Sequence, residues 1–114
     1  MVHLRPIAQG LAYTAVKAAV LEISGYMQDD NPEWHVVQIQ PGVVRTELNA
    51  RFDIVGQDDP SLAAHFYVWL ASLEADFLND KFVWMNWDVD GPKARADEIE
   101  DSLILKVILN GVPM

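Results

Sequence analysis

The sequence predicts an α/β chain, a mostly parallel sheet with flanking helices, and three patterns lead there. Apolar residues recur at helical spacing from Leu11 to Gln28. Trp34 to Ile39 and Phe82 to Trp87 are apolar on both sides, as strands covered on both faces are. A helix that runs into such a strand is half of a crossover unit, and a second helix lies between the two strands.

Residues 1–10 read as an extended approach, because Pro6 biases Arg5 toward extended dihedrals and Gly10 permits a turn. The first helix then carries Ala12, Val16, Ala19, Val20, Ile23 and Met27 at helical spacing. Its alanines at 12, 15, 18 and 19 favour helix and let another backbone approach. Asp29, Asp30, Asn31 and Pro32 stop it, and the Trp34–Ile39 strand follows until Pro41 and Gly42 end it. Residues 46–59 mix apolar and polar side chains and read either as a short helix or as a loop. The next helix has Asp59 as N-cap and Pro60 at its first position, with Leu62, Phe66, Trp69, Leu70 and Leu73 as its buried face. Asn79 and Asp80 turn the chain into the Phe82–Trp87 strand. A charged helix is expected over Lys93–Glu100 and a short strand or edge-covering helix over Leu103–Leu109. Two such strands need neighbours that the rest of the sequence is too short to supply in full, so something must cover their edges.

The 114 residues suit one domain, and a hydrophobic fraction of 51% is that of a packed protein. A formal charge of −9 argues against binding nucleic acid, which depends on basic clusters. There is no cysteine, which removes disulfides and thiolate metal sites. His3, His35 and His65 fall in different elements with no metal-ligand spacing, so no metal is expected. No apolar run reaches membrane-spanning length and nothing near Met1 reads as a signal peptide, so the expectation is a cytoplasmic chain with no membrane partner.

Tyr13 and Lys17 stand four residues apart, which places them on one face of the first helix. An ammonium beside a phenol stabilises the phenolate, as a tyrosine that exchanges a proton with an alcohol or carbonyl requires. Alone, that spacing arises often by chance. After the following strand, however, come Pro41-Gly42-Val-Val-Arg-Thr46, and later the stretch from Phe82 to Asp90. Together these resemble the C-terminal half of a short-chain dehydrogenase/reductase, most closely its fungal members, and the likeness covers nearly the whole chain.

The resemblance implies a truncated Rossmann-like, doubly wound half-domain spanning residues 1–114. It implies that Tyr13 is the catalytic acid/base and that Lys17 eases its ionisation and binds the nicotinamide ribose. Pro41, Gly42 and Val44 would shape the turn beside the nicotinamide of NAD or NADP, and Thr46 would contact its carboxamide. Glu47, Leu48, Phe52 and Ile54 would fall in the substrate-binding loop. No G-x-x-x-G-x-G segment occurs in the sequence, so the cofactor pyrophosphate would lack its backbone donors and helix N-terminus. The family's active-site serine would fall ahead of Met1, and its supporting asparagine is missing too.

The leading expectation is therefore the remnant of an NAD(P)-dependent oxidoreductase acting on a small-molecule carbonyl or alcohol substrate, inactive alone and completed by an N-terminal fragment, supplied by a partner or by a longer gene product. The alternative is a noncatalytic or repurposed homo-oligomeric domain, including nonredox isomerase or cyclase chemistry in a fungal pathway.

Overall fold

A computed structural model describes residues 10–51 and 53–108. The expected extended approach through residue 9 therefore lies outside the described residues. Helix α1 (Leu11–Asp30) starts where the alanine-rich spacing begins and runs two residues past the expected Gln28. Asn31 ends it by folding back: its side-chain amide donates to the Met27 carbonyl at 2.9 Å and its backbone N–H to the Gln28 carbonyl at 3.2 Å.

Strands β1 (Gln38–Gln40) and β2 (Phe82–Trp84) pair in parallel, with Gln38 opposite Phe82, Ile39 opposite Val83 and Gln40 opposite Trp84. Both are shorter than their apolar runs. At the start of the first run, Val36 N–H is held by the Gln28 and Asn79 side-chain oxygens at 3.2 and 2.9 Å, so side chains take the place of a ladder there. Trp34, expected inside the strand, lies in the preceding turn and is 46% exposed. At the far end of β2 the Trp87 N–H turns back to the Trp84 carbonyl at 3.2 Å.

Side chains alternate across a strand. Val37, Ile39 and Val83 face the hydrophobic core, whereas Gln38 faces α1 and donates to the Leu21 carbonyl at 3.3 Å. Helical elements thus lie on both faces of the two strands. Helix α2 (Glu47–Arg51) resolves the helix-or-loop choice over residues 46–59 in favour of a short helix. Helix α3 (Pro60–Leu70) is capped by Asp59, whose carboxylate accepts the Ser61 N–H at 2.9 Å. Its buried face is Ala63, Phe66 and Leu70. Trp69 packs partly buried against this core, whereas Leu62 is exposed and Leu73 lies beyond the helix end at 87% exposure, so two of the expected face residues sit off the buried stripe.

A 3-10 helix (Leu73–Leu78) contributes Ala75, Phe77 and Leu78 to the core beside Val83, Met85 and Ile99. The expected Lys93–Glu100 helix is split into α4 (Asp90–Lys93) and α5 (Ala96–Glu100). Residues 103–108 form neither the expected strand nor a helix, since Leu105 has a φ of 61° that no regular element accommodates. They strap the outer side of β2 instead. Phe82 N–H donates to the Leu105 carbonyl at 2.7 Å, Lys81 Nζ to the Ser102 carbonyl at 2.7 Å, and Lys106 pairs with Asp80.

Candidate active site

Tyr13 and Lys17 project from the first turns of α1, as their spacing predicts. The Lys17 ammonium lies 5.7 Å from the centre of the Tyr13 ring, over the ring rather than hydrogen-bonded to the hydroxyl. Both side chains are exposed, Tyr13 by 54%.

Where β1 ends, Gly42 adopts a φ of 71°, a left-handed value at which glycine avoids the Cβ penalty. The chain returns to this turn fifteen residues later: Val43 N–H donates to the Asp58 carboxylate at 2.7 Å. Gln57 and Asp58 N–H both donate to the Val43 carbonyl, at 2.8 and 3.1 Å, and Val44 bridges Asp58 in parallel. The residues between are thus an excursion closed at its stem. Across that stem Arg45 pairs with Asp59 at 3.2 Å. The Ser61 N–H, with Arg45 adding to it, holds the Asp59 carboxyl below its ordinary value.

Inside the excursion Thr46 Oγ1 accepts the Asn49 N–H at 3.2 Å and so caps α2, while the Asn49 side chain donates to the Val44 carbonyl at 2.6 Å. A cavity of about 360 Å³ opens between Arg45, Thr46, Glu47, Ala50, Ile54 and Gly56. It gathers three of the nominated residues, Thr46, Glu47 and Ile54. The Leu48 side chain and Phe52 lie outside the described residues. Tyr13 and Lys17 do not line this cavity, and among the described residues no hydrogen bond or ion pair joins them to residues 41–46. A second cavity of about 590 Å³ lies between α1 and the sheet, lined among others by Ala18, Glu22, Tyr26, Gln38, Phe82 and Leu105. Asp58 and Asn49, which build the turn, were not singled out in the sequence. Asp58 stands beside the capping Asp59 and reads there as part of a helix start, and no spacing links it to Gly42.

A short chain dehydrogenase/reductase of Claviceps purpurea is 38% identical over 85 residues, which are 68% of this chain and 29% of that protein. The short chain dehydrogenase/reductase AacuD of Aspergillus aculeatus is 35% identical over 101 residues, 83% of this chain and 36% of its own length. The chain is a homologue of these fungal short-chain dehydrogenase/reductases. The short chain dehydrogenase citE of Monascus ruber adds 33% identity over 106 residues, 86% of this chain. The chain spans about a third of the length of the curated relatives it matches. No protein-family profile and no solved structure matches it. Among the described residues no helix is long and apolar enough to cross a membrane.

Proposed function

We propose that the chain is the nicotinamide-side portion of an NAD(P)-dependent oxidoreductase that interconverts a carbonyl and an alcohol, a truncated part of a doubly wound domain that needs the glycine-rich portion from another polypeptide segment. One observation carries this reading: the tyrosine–lysine pair and the Pro41–Thr46 turn follow one another across a helix and a strand, in a chain related to the fungal enzymes.

The residues present fit one end of the cofactor. Lys17 has an ammonium with no hydrogen-bond or ion-pair partner among the described residues and so N–H donors for a ribose hydroxyl, the left-handed Gly42 keeps the turn free of side chain, and Thr46 keeps a hydroxyl proton to donate to a carboxamide. Pro41 and Val44 would wall the same turn. The dinucleotide's other end has no counterpart, because a pyrophosphate needs clustered backbone N–H donors at a glycine-rich turn. When bound, the cofactor would supply or accept the hydride. Tyr13 would hold its hydroxyl proton at the substrate oxygen, giving it up as a carbonyl becomes an alcohol and recovering it in the reverse direction. Lys17 would favour the phenolate left behind, an effect that grows when water is excluded. Glu47, Leu48, Phe52 and Ile54 would line the substrate side.

The isolated chain should bind NADH and NADPH more weakly than a dissociation constant of about 10 µM, and bind one of them tightly once a segment carrying the glycine-rich turn is added. In that complemented assembly Tyr13→Phe should lower turnover by about 10² or more while sparing cofactor affinity. Tight binding by the chain alone, or full turnover in the variant, refutes the proposal. A second reading, a homo-oligomeric domain without redox chemistry, draws on the exposed apolar face of α1, where Val16, Val20 and Ile23 are 63%, 46% and 57% exposed. Turnover in the complemented assembly would dispose of it.

A further inference from the structure

Leaving β1, the chain reaches a residue that can take either sign of φ almost equally well, since Gly42 has no Cβ to choose for it. Something else must select the observed 71°, because rotating the peptide between Gly42 and Val43 would redirect everything up to Thr46. The backbone bonds at the stem do not select it. Gln57 and Asp58 donate to the carbonyl of Val43, beyond the peptide in question, and Met85 N–H takes the carbonyl of Gln40, before it, at 3.1 Å. The bond that engages the Gly42–Val43 peptide itself is the one from Val43 N–H to the Asp58 carboxylate, at 2.7 Å. The fit around it is tight: a Cβ on Gly42 would run into that same carboxylate oxygen and come within 2.9 Å of Met85 Cε.

We propose that Asp58 is the positioning residue of the Pro41–Thr46 turn: its carboxylate sets the Gly42–Val43 peptide and so fixes how the turn presents Thr46. A carboxylate oxygen is a stronger acceptor for a backbone N–H than a neutral carbonyl or hydroxyl oxygen. Two further contacts pass that constraint forward. Asn49 ties the Val44 carbonyl to α2, and Gly56 lies so close to Arg45 that a Cβ there would come within 2.6 Å of its backbone nitrogen. The importance of Asp58 for ligand binding rests on the reading above, in which this turn lies beside the nicotinamide. Its effect on the turn does not.

The test is backbone amide exchange, followed by NMR in the full chain without cofactor, on Asp58→Ala, Asp58→Asn and Asp58→Glu. Losing the carboxylate acceptor should speed exchange at Val43 by about tenfold or more in the alanine variant, leaving Met85, which donates in the sheet, within about twofold of wild type. Asparagine retains a carbonyl oxygen and should recover part of the protection. Glutamate keeps the carboxylate but moves it outward, so it should raise exchange at Val43 with the sheet intact; this variant serves if alanine prevents folding. Unchanged exchange at Val43 in the alanine or glutamate variant overturns the proposal, and so does equal acceleration at Val43 and Met85, which would mean Asp58 merely holds the fold. Because no cofactor enters the measurement, a complemented assembly that fails to bind NADH or NADPH would count against the oxidoreductase reading and leave this result standing.

Discussion

Gly42 is a residue whose replacement both contacts and backbone angle oppose. A methyl group there meets the Asp58 carboxylate and Met85, and the backbone sits at a φ that side chains rarely adopt. Gly42→Ala should therefore cost about 1–3 kcal/mol of stability, read from the denaturant midpoint. A variant as stable as wild type would show that the turn can relax to negative φ without loss. Gly91, by contrast, has open space around it and should accept alanine. Of the residues nominated for the site, Tyr13 and Lys17 share a helix face by their spacing alone, and the resemblance carried by the later Pro41–Thr46 stretch nominated them. Asp58 could be found neither way, because its partnership with Val43 is made by a chain reversal that no local pattern encodes.

At the scale of elements, the strap over β2 is held partly by a lysine that is itself buried. Lys81 is 1% exposed, and its ammonium donates to the Ser102 carbonyl. Burial, with the nearby Lys106 ammonium adding to it, holds Lys81 below the ordinary lysine value. An unfolded lysine keeps its proton up to about pH 10.4, so between the lowered folded value and that pH the unfolded state binds more protons and stability rises with pH. Below the folded value both states are protonated and the full cost of burial is present. Lys81→Met should thus be neutral or stabilising at pH 7, since an apolar isostere avoids burying the charge. Its advantage should shrink as pH climbs toward 10.4. Thermal melts of both proteins between pH 7 and 10 test this, and a variant melting below wild type by a constant margin would show that the hydrogen bond to Ser102 outweighs the burial cost.

Across the whole molecule the outstanding feature is surface. The chain exposes 8671 Å², against about 6,300 Å² for a compact monomer of 12.8 kDa. Its radius of gyration, 15.5 Å, likewise exceeds the roughly 13 Å of a compact domain near this size. Among the described residues α1 exposes Leu11, Tyr13, Val16, Val20, Ile23, Tyr26 and Met27, all by more than two-fifths. The difference of about 2,400 Å² is on the scale that stable interfaces bury. Sedimentation of the purified chain at low micromolar concentration should therefore give a mass at least twice 12.8 kDa, unless the glycine-rich segment is supplied. A compact monomer with slow amide exchange from Val36 to Ile39 would show that the chain closes its own core.

Local chemistry was enough for those features of this protein that depend on neighbours in sequence. The alanine run makes α1, Asp59 and Pro60 start α3, and Tyr13 and Lys17 share a helix face because four residues make about one turn. The order helix, strand, helix, strand from α1 to β2, and the parallel pairing of the two strands, follow from patterning as well. Only the tertiary structure decided how long the strands are, which side of α3 is buried, and what shapes the turn after β1. Each of these depends on partners elsewhere in the chain: Asn79 and Gln28 take the Val36 N–H from the ladder, and Ala63 rather than Leu62 joins the core that the 3-10 helix completes. Asp58 likewise reaches back across fifteen residues to hold the Val43 amide. Such contacts are selected by the fit of the folded whole, where one hydrogen bond to a buried backbone group can override the preference of a short apolar run.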